Sequence, residues 1–171
     1  MSLDSLQSLF QDELKDVYHA EKQLLQALPR LAKAATTPEL QNAFSNHLKE
    51  TENHVARLEQ SFKDLGMPIR GKVCKGMRGL VEEGKELMEE GEKGPVLDAA
   101  LIGAAQRVEH YEIAAYGCLR TYAQLLGLEK VAERLADTLS EEEAADEKLN
   151  AIAEGQVNAS AAAVGGDAEE E

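Results

Sequence analysis

The sequence is short of the residues that globular chains use for disulfide frameworks, aromatic cores and membrane spans. Tryptophan is absent, aromatic residues make up 4% of the chain, and there are two cysteines in 171 residues. Neither cysteine has a Cys or His neighbour at zinc-finger spacing, so a zinc finger and a disulfide-rich fold are excluded and reduced thiols are expected. No apolar run is as long as a membrane span and no segment resembles a signal peptide, which predicts a cytoplasmic protein.

The chain also has few basic residues relative to acidic ones. Lys and Arg number 18 against 32 for Asp and Glu, giving a formal net charge of -14. A chain this acidic repels nucleic acids and anionic lipid surfaces, so we expect neither as a partner. It can attract cations instead, although a solvated acidic surface would give the same net charge.

Leu, Ala, Glu and Lys dominate the chain and recur in a helical rhythm. Alternating steps of three and four between apolar residues predict four long amphipathic helices, over residues 4–35, 38–65, 95–126 and 129–155. The glycine-rich stretch 67–94 predicts a long crossover that carries one short helix, residues 77–90. Residues 1–155 would form one helical domain, and residues 156–171 an acidic, flexible tail.

The first pair of long helices resembles the second pair under a shift of 91 residues. Glu21 then falls on Glu112, and Glu50 falls on Glu141. Two related hairpins joined by a long crossover are typical of the ferritin-like four-helix bundle. The predicted fold class is therefore all-α and ferritin-like, although short similarities also arise by chance in helices rich in Ala, Glu and Leu.

Each long helix carries an acid near its middle, on or beside the apolar stripe. Glu21 and Glu112 stand out because each takes the place of a hydrophobic residue in an otherwise regular stripe. Midpoints of antiparallel helices of similar length meet at one level, so these acids should converge. Carboxylates with imidazole suit iron or manganese, and the sequence predicts two Fe ions, with Mn as the alternative. The candidate ligands are Glu21, Glu50, Glu109, Glu112, Glu142, His47, His54 and Asp146.

A less specific interpretation stays open for several of these residues. Charged residues make up 29% of the chain, and a single Glu on a helix is usually solvated, as Glu50 would be. His47 and His54 fit a ligand and a hydrogen-bonded packing residue equally well. In the fourth helix the repeat points to Glu141 whereas the stripe points to Glu142. We favour Glu142, because side-chain direction decides which carboxylate can reach a metal.

Four stretches resemble the YciE/YciF family of bacterial stress proteins: Ala-Glu21-Lys-Gln-Leu, His47-Leu-Lys-Glu50-Thr51, Val-Glu109-His110-Tyr-Glu112-Ile-Ala-Ala-Tyr-Gly and Thr138-Leu-Ser-Glu141-Glu142. The resemblance covers roughly residues 3–153. It implies a ferritin-like di-iron-carboxylate fold, homodimers, and a ferroxidase-type role in stress response. It also supports Glu21, Glu50, Glu109, Glu112 and Glu142 as the metal-binding acids, with His47 nearby.

The chain departs from the wider ferritin-like pattern, which has Glu-x-x-His on the second and fourth helices. Glu50 is followed at that spacing by Asn53, and Glu142 by Ala145. The nearest substitutes, His54 and Asp146, come four residues after each Glu. The ligand set is therefore expected to be richer in carboxylate.

Two classes of function follow from these features. The first is a dinuclear metalloprotein that oxidises Fe(II) or consumes peroxide, with metal ions and O2 or peroxide as its partners. The second is a non-catalytic helical binding or stress-protection protein that keeps the carboxylates without turnover. A ferritin-like storage cage is a third interpretation, but nothing in the sequence encodes a shell interface.

Overall fold

The computed structural model describes residues 4–164, and every regular element within that range is helical. This confirms the predicted all-α class. None of the helices in residues 4–164 is long and apolar enough to cross a membrane. The elements are α1 (Leu6–Ala34), α2 (Pro38–Asp64), α3 (Lys75–Glu90), α4 (Pro95–Leu125), α5 (Glu129–Ile152), a π-helical turn (Ala153–Val157) and α6 (Asn158–Ala163).

The four long helices pack side by side, and α3 lies against two of them. Short turns join α1 to α2 and α4 to α5, and each pair packs along its length. α1 also contacts α4, and α2 contacts α5, while α3 packs on α1 and α4. Gly66 and Gly127 follow α2 and α4 with φ of 64° and 70°, a left-handed conformation that glycine adopts without a Cβ clash. The predicted crossover with its short helix is therefore present as α3 and its flanking segments.

The apolar core is divided into two clusters along the helix axes. One contains Leu28, Phe44 and Leu101, and the other contains Phe10 and Leu119. Between these two levels lies a buried layer of acids and histidines contributed by all four long helices. A polar layer at this depth interrupts packing that would otherwise be continuous and apolar, so its side chains need compensation from one another or from a bound group.

The C-terminal boundary differs from the one predicted. Gly155 was expected to end the last long helix, but the chain continues through the π-helical turn into α6. The reason is packing, since Ala153 and Val157 are buried and this region contacts α4. Within the predicted tail, residues 156–163 are therefore helical, and residues 165–171 lie outside the described part of the chain.

A buried aspartate on α4 accepts hydrogen bonds from the turn between α1 and α2. Asp98 accepts hydrogen bonds from the backbone N–H groups of Thr36 (2.8 Å) and Thr37 (2.7 Å). The hydroxyl groups of both threonines donate to it as well, at 2.8 and 2.5 Å. Burial alone would raise the pKa of Asp98, but the bonds from Thr37 and Thr36 outweigh it and lower the pKa. The carboxylate therefore joins the two helical hairpins at this end.

We expect Asp98→Ala to lower the free energy of unfolding by about 2–4 kcal/mol, because several buried donors would lose a charged acceptor. The pKa of Asp98 is lower in the folded than in the unfolded chain, so its contribution to the free energy of unfolding is fully present when the pH is above the pKa of the unfolded chain. That contribution is lost as the pH falls through the pKa of the folded chain. Urea unfolding at pH 7 and near pH 3 checks both points. The exposed Glu39→Gln is the control, and a gap between Asp98→Ala and wild type that does not narrow in acid would contradict the assignment.

Candidate metal centre

Six of the eight candidate residues meet in the polar layer. Each has a side chain facing the interior and is no more than 5% exposed. Helix geometry explains the convergence, because residues three, four or seven apart share one face of a helix. The six are Glu21 on α1, His47 and His54 on α2, Glu109 and Glu112 on α4, and Glu142 on α5.

Glu142 lies at the centre of the cluster and faces both histidines. Its Oε1 is 3.1 Å from His54 Nδ1, and its Oε2 is 3.5 Å from His47 Nε2. His54 Nδ1 is also 3.3 Å from Glu21 Oε1, and His47 Nε2 is 3.4 Å from Glu109 Oε1. Two groups of potential ligands therefore share Glu142, and the ligand atoms within each group lie within 4.8 Å of one another. One group is Glu21, His54 and Glu142; the other is His47, Glu109, Glu112 and Glu142.

Each histidine is held from outside the cluster by a further acid. His47 Nδ1 lies 3.1 Å from Glu50 Oε2, and His54 Nε2 lies 2.8 Å from Glu141 Oε2. Arg57 in turn donates two hydrogen bonds to Glu141, at 2.5 and 2.8 Å. In both cases the outer contact fixes the ring so that its other nitrogen points inward. Glu50 and Glu141, which the sequence repeat pairs with each other, therefore occupy equivalent outer positions.

Two candidate residues lie outside the cluster. The side chain of Glu50 is 44% exposed and contacts His47, so it orients a ring instead of joining the inner group. Asp146 accepts a hydrogen bond from Gln106 at 3.1 Å and lies 3.3 Å from His110. It is one helical turn beyond Glu142 on α5, at the edge of the layer. Of the two adjacent acids on α5, Glu142 is the buried one, as the stripe predicted.

The electrostatics of the layer are dominated by burial. Burial and the neighbouring acids raise the pKa values of Glu109 and Glu112 well above the usual range. Although burial opposes it, His54 interacts so closely with Glu142 and Glu21 that its pKa rises to about 10. The pKa of Glu142 is lowered, because its close contact with His54 and the charges of the two histidines outweigh burial. The cluster thus attracts positive charge, with Glu142 its most acidic member.

Hydrogen bonding within the layer is incomplete, which tests whether a metal would fit. Both oxygens of Glu112 and of Glu142 are buried without a hydrogen-bond partner. The inward nitrogens His47 Nε2 and His54 Nδ1 and one oxygen each of Glu21 and Glu109 are in the same state. Such groups cost about 1–3 kcal/mol each when they stay unpaired. Oxygen and imidazole donors that converge in this way are the donor set that Fe and Mn prefer, so the residues fit a metal pair.

Sequence reasoning missed two residues of this layer. The buried hydroxyl of Tyr116, which was not among the candidate residues, donates a short hydrogen bond to Glu21 Oε1. Its position four residues after Glu112 was an available signal, since that spacing shares a helix face. Thr51 is fully buried with an unpartnered hydroxyl, and the 91-residue shift places it on Glu142.

A narrow cleft connects this layer with the surface between α2 and α5. It has a volume of about 130 Å³, and its inner end is lined by His47 and Glu109. Asn46, Glu50 and Lys148 line it nearer the surface, where their side chains are more exposed. Ala145, which stands where the ferritin-like pattern has a histidine, leaves part of this opening free. The cleft therefore leads from the surface towards the side of the cluster that contains His47.

Comparison with known proteins places the chain in one family. The family described as "Domain of unknown function (DUF892)" matches residues 5–162. Protein YciF of Escherichia coli strain K12 is 45% identical over 159 residues, covering 92% of this chain and 96% of that protein. The crystal structure of the E. coli stress protein YciF has a TM-score of 0.87, with coverage of 91% of this chain and 99% of that chain.

Two further solved structures resemble the chain along most of its length. YcfI from Rhodopseudomonas palustris is 41% identical with a TM-score of 0.84, and the match covers 88% of this chain and 97% of that one. A protein from Xanthomonas campestris pv. campestris is 25% identical with a TM-score of 0.74, covering 91% and 95% of the two chains. The arrangement of helices is thus shared among these proteins.

Proposed function

The chain belongs to the DUF892 family, that of the stress protein YciF, and we propose that it is a ferritin-like dinuclear metal-carboxylate protein. In this proposal it oxidises Fe(II) with O2 or peroxide, as a defence against oxidative stress. The observation that carries the proposal is the buried layer of four carboxylates and two imidazoles, with its inward-facing ligand atoms unpaired.

Charge balance supports two divalent ions at this layer. Glu21, Glu109, Glu112 and Glu142 carry four negative charges when ionised, and the two histidines can supply at most two positive ones. Two divalent cations would neutralise the four carboxylates and leave both imidazoles free to bind as neutral ligands. A buried, uncompensated charge is strongly unfavourable, so two bound metal ions would remove most of the free-energy cost of burying these carboxylates.

The positions of the residues indicate which of them would bind each ion. Glu142 would contact both ions, with Glu21 and His54 on one side and His47, Glu109 and Glu112 on the other. Two Fe(II) ions would supply the two electrons that, with two protons from solvent, reduce one hydrogen peroxide to two waters. Tyr116 would orient Glu21 and favour its ionised form by donating to it, and the apolar clusters above and below would exclude bulk water. The cleft beside Glu50 and Asn46 offers a route for ions and oxidant.

Anaerobic titration with Fe(II), followed by addition of peroxide or air, tests the proposal. We expect two Fe(II) per chain and a ferric absorbance that forms faster than in buffer alone. Glu112→Ala should abolish that absorbance, whereas Glu143→Ala, which removes an exposed acid on α5, should leave it unchanged. Wild-type protein that takes up no iron would reject the metal assignment and favour the non-catalytic stress-protection alternative.

The outer acid that holds His54 should matter for metal affinity although it would not touch the metal. Glu141→Ala leaves His54 Nε2 and Arg57 without their acceptor, so the ring loses its fixed orientation. We expect Mn(II) affinity to fall by about 10- to 100-fold. Glu141→Gln, whose amide oxygen can still accept, should restore part of it. Equal affinities for Glu141→Ala and wild type, measured by calorimetry, would show that this contact does not position His54.

A further inference from the structure

A second cavity lies between α1, α3 and α4, and none of the clustered acids or histidines lines it. Its volume is about 320 Å³, within the range of about 300–1,000 Å³ that small-molecule sites have. The inner wall is apolar, with Leu24 and Leu31 from α1, Met88 from α3 and Val108 from α4. A cavity of this kind can accept an apolar chain without leaving polar groups unpaired.

Small residues on all three helices create the space. Ala27 faces the cavity from α1, Gly84 from α3, and Ala104 from α4. A Cβ placed on Gly84 would meet only the Ala104 Cβ, at 3.9 Å, so the backbones do not need glycine there for close approach. The glycine instead leaves free volume in a helix whose one other buried residue, Met77, is apolar.

The rim of this cavity is positively charged although the chain as a whole is strongly acidic. Arg30, Arg78 and Lys85 line it with exposed side chains, against one acid, Glu82. Within residues 4–164, Arg30 and Arg78 form no ion pair and no side-chain hydrogen bond, while Lys85 pairs with Glu89 at 3.3 Å. Two arginines without an acidic partner are notable in a chain with 32 acids. Guanidinium groups bind carboxylates in a bidentate fashion, so this rim is suited to an anionic head group.

We propose that this cavity binds a medium-chain aliphatic carboxylate. The alkyl chain lies between the apolar walls of α1, α3 and α4, and the carboxylate is bound by Arg30 and Arg78. The net charge of -14 repels anions in general, so an anion that binds must do so through a local cationic rim such as this one. The site shares no side chain with the carboxylate layer and does not depend on a metal there.

Calorimetric titration of the full chain with octanoate, decanoate and dodecanoate, below their micelle concentrations, tests the proposal. We expect one site per chain and up to about tenfold tighter binding for each two added methylenes. Dodecanol, which has the same chain without the charge, should bind at least about tenfold more weakly than dodecanoate, because it forms no charged hydrogen bond.

Three variants complete the test. Arg30→Gln combined with Arg78→Gln should reduce dodecanoate affinity at least about tenfold, whereas Lys63→Gln, which removes an exposed cation away from the cavity, should not. Gly84→Leu should fill the cavity and abolish binding, with folding verified by circular dichroism. Absence of saturable binding to wild type, or unchanged affinity in both cavity variants, would overturn the proposal. Light scattering that shows a dimer of wild type and a monomer of Gly84→Leu would also overturn the proposal, because the cavity would then lie in an interface between two copies of the chain.

Discussion

Glu142→Gln is expected to weaken the binding of both metal ions by at least about 100-fold while leaving the fold intact. Glu142 is the one residue common to the two ligand groups, with an oxygen facing each histidine. Glutamine keeps the size of the side chain and one oxygen, so only the charge and one oxygen ligand are lost. Wild type should bind two Mn(II) per chain. The variant should bind at least about 100-fold more weakly, more than the usual effect of a residue that merely supports a ligand.

The matched control is Glu143→Gln, the same substitution one residue further along α5. Glu143 is exposed and makes no contact with the cluster, so its loss changes the net charge equally but not the site. Calorimetry and electron paramagnetic resonance of bound Mn(II) distinguish the two variants. If Glu142→Gln and Glu143→Gln retain the same two ions, the metal is bound elsewhere on the acidic surface. Loss in both variants would point to long-range charge as the cause.

The sequence predicted the level of the site well because helix geometry is regular. A rise of about 1.5 Å per residue and the position of each acid near a helix midpoint were enough to bring Glu21, Glu112 and Glu142 together. The interruption of apolar stripes marked Glu21 and Glu112 without any knowledge of their neighbours. These features depend only on local spacing, which the sequence contains directly.

The roles of individual neighbours could not be predicted with the same certainty, because they depend on helix rotation. A rotation of 100° separates adjacent residues on a helix, so Glu141 and Glu142 point in very different directions. The Glu-x-x-His pattern had been compared with Glu50 and Asn53, but the buried histidine of α2 is His54, one residue further along. The 91-residue shift aligns Thr51 with Glu142 and His54 with Ala145. In this alignment α2 keeps the histidine of the Glu-x-x-His pattern and α5 keeps the glutamate.

This asymmetry gives a physical account of the additional candidate ligands. At the position equivalent to His54, Ala145 offers no nitrogen, and at the position equivalent to Glu142, Thr51 offers a hydroxyl. His47 and Glu109 occupy the side of the cluster where those two ligands are missing. The repeat does not predict either residue. His47 lies one helical turn before Thr51 on α2, and Glu109 lies one turn before Glu112 on α4. Only the assembled structure reveals that they face the same space.

Glu112→Leu is expected to stabilise the metal-free protein and to destabilise the metal-loaded one relative to wild type. Both oxygens of Glu112 are buried without a hydrogen-bond partner, and burial with nearby Glu21 raises its pKa well above the usual range. Replacing such a group by an apolar side chain of similar volume is often stabilising, by about 1–4 kcal/mol. In the presence of metal, wild type gains about 2.7 kcal/mol for each ion at a concentration 100 times its Kd. The variant forgoes most of that gain.

Urea unfolding of both proteins, in EDTA and in excess Mn(II), provides the measurement. The order of stability should reverse between the two conditions, with Glu112→Leu more stable in EDTA and wild type more stable in Mn(II). Glu112→Gln serves as the control, because it removes the ionisable group but keeps a polar group that still lacks partners. A large loss of stability for Glu112→Leu in EDTA would mean that the carboxylate stabilises the fold without metal, which would contradict this prediction, whereas the non-catalytic alternative expects little loss and no difference between EDTA and Mn(II). A buried acid that costs stability until a cation binds is instead what a metal centre requires.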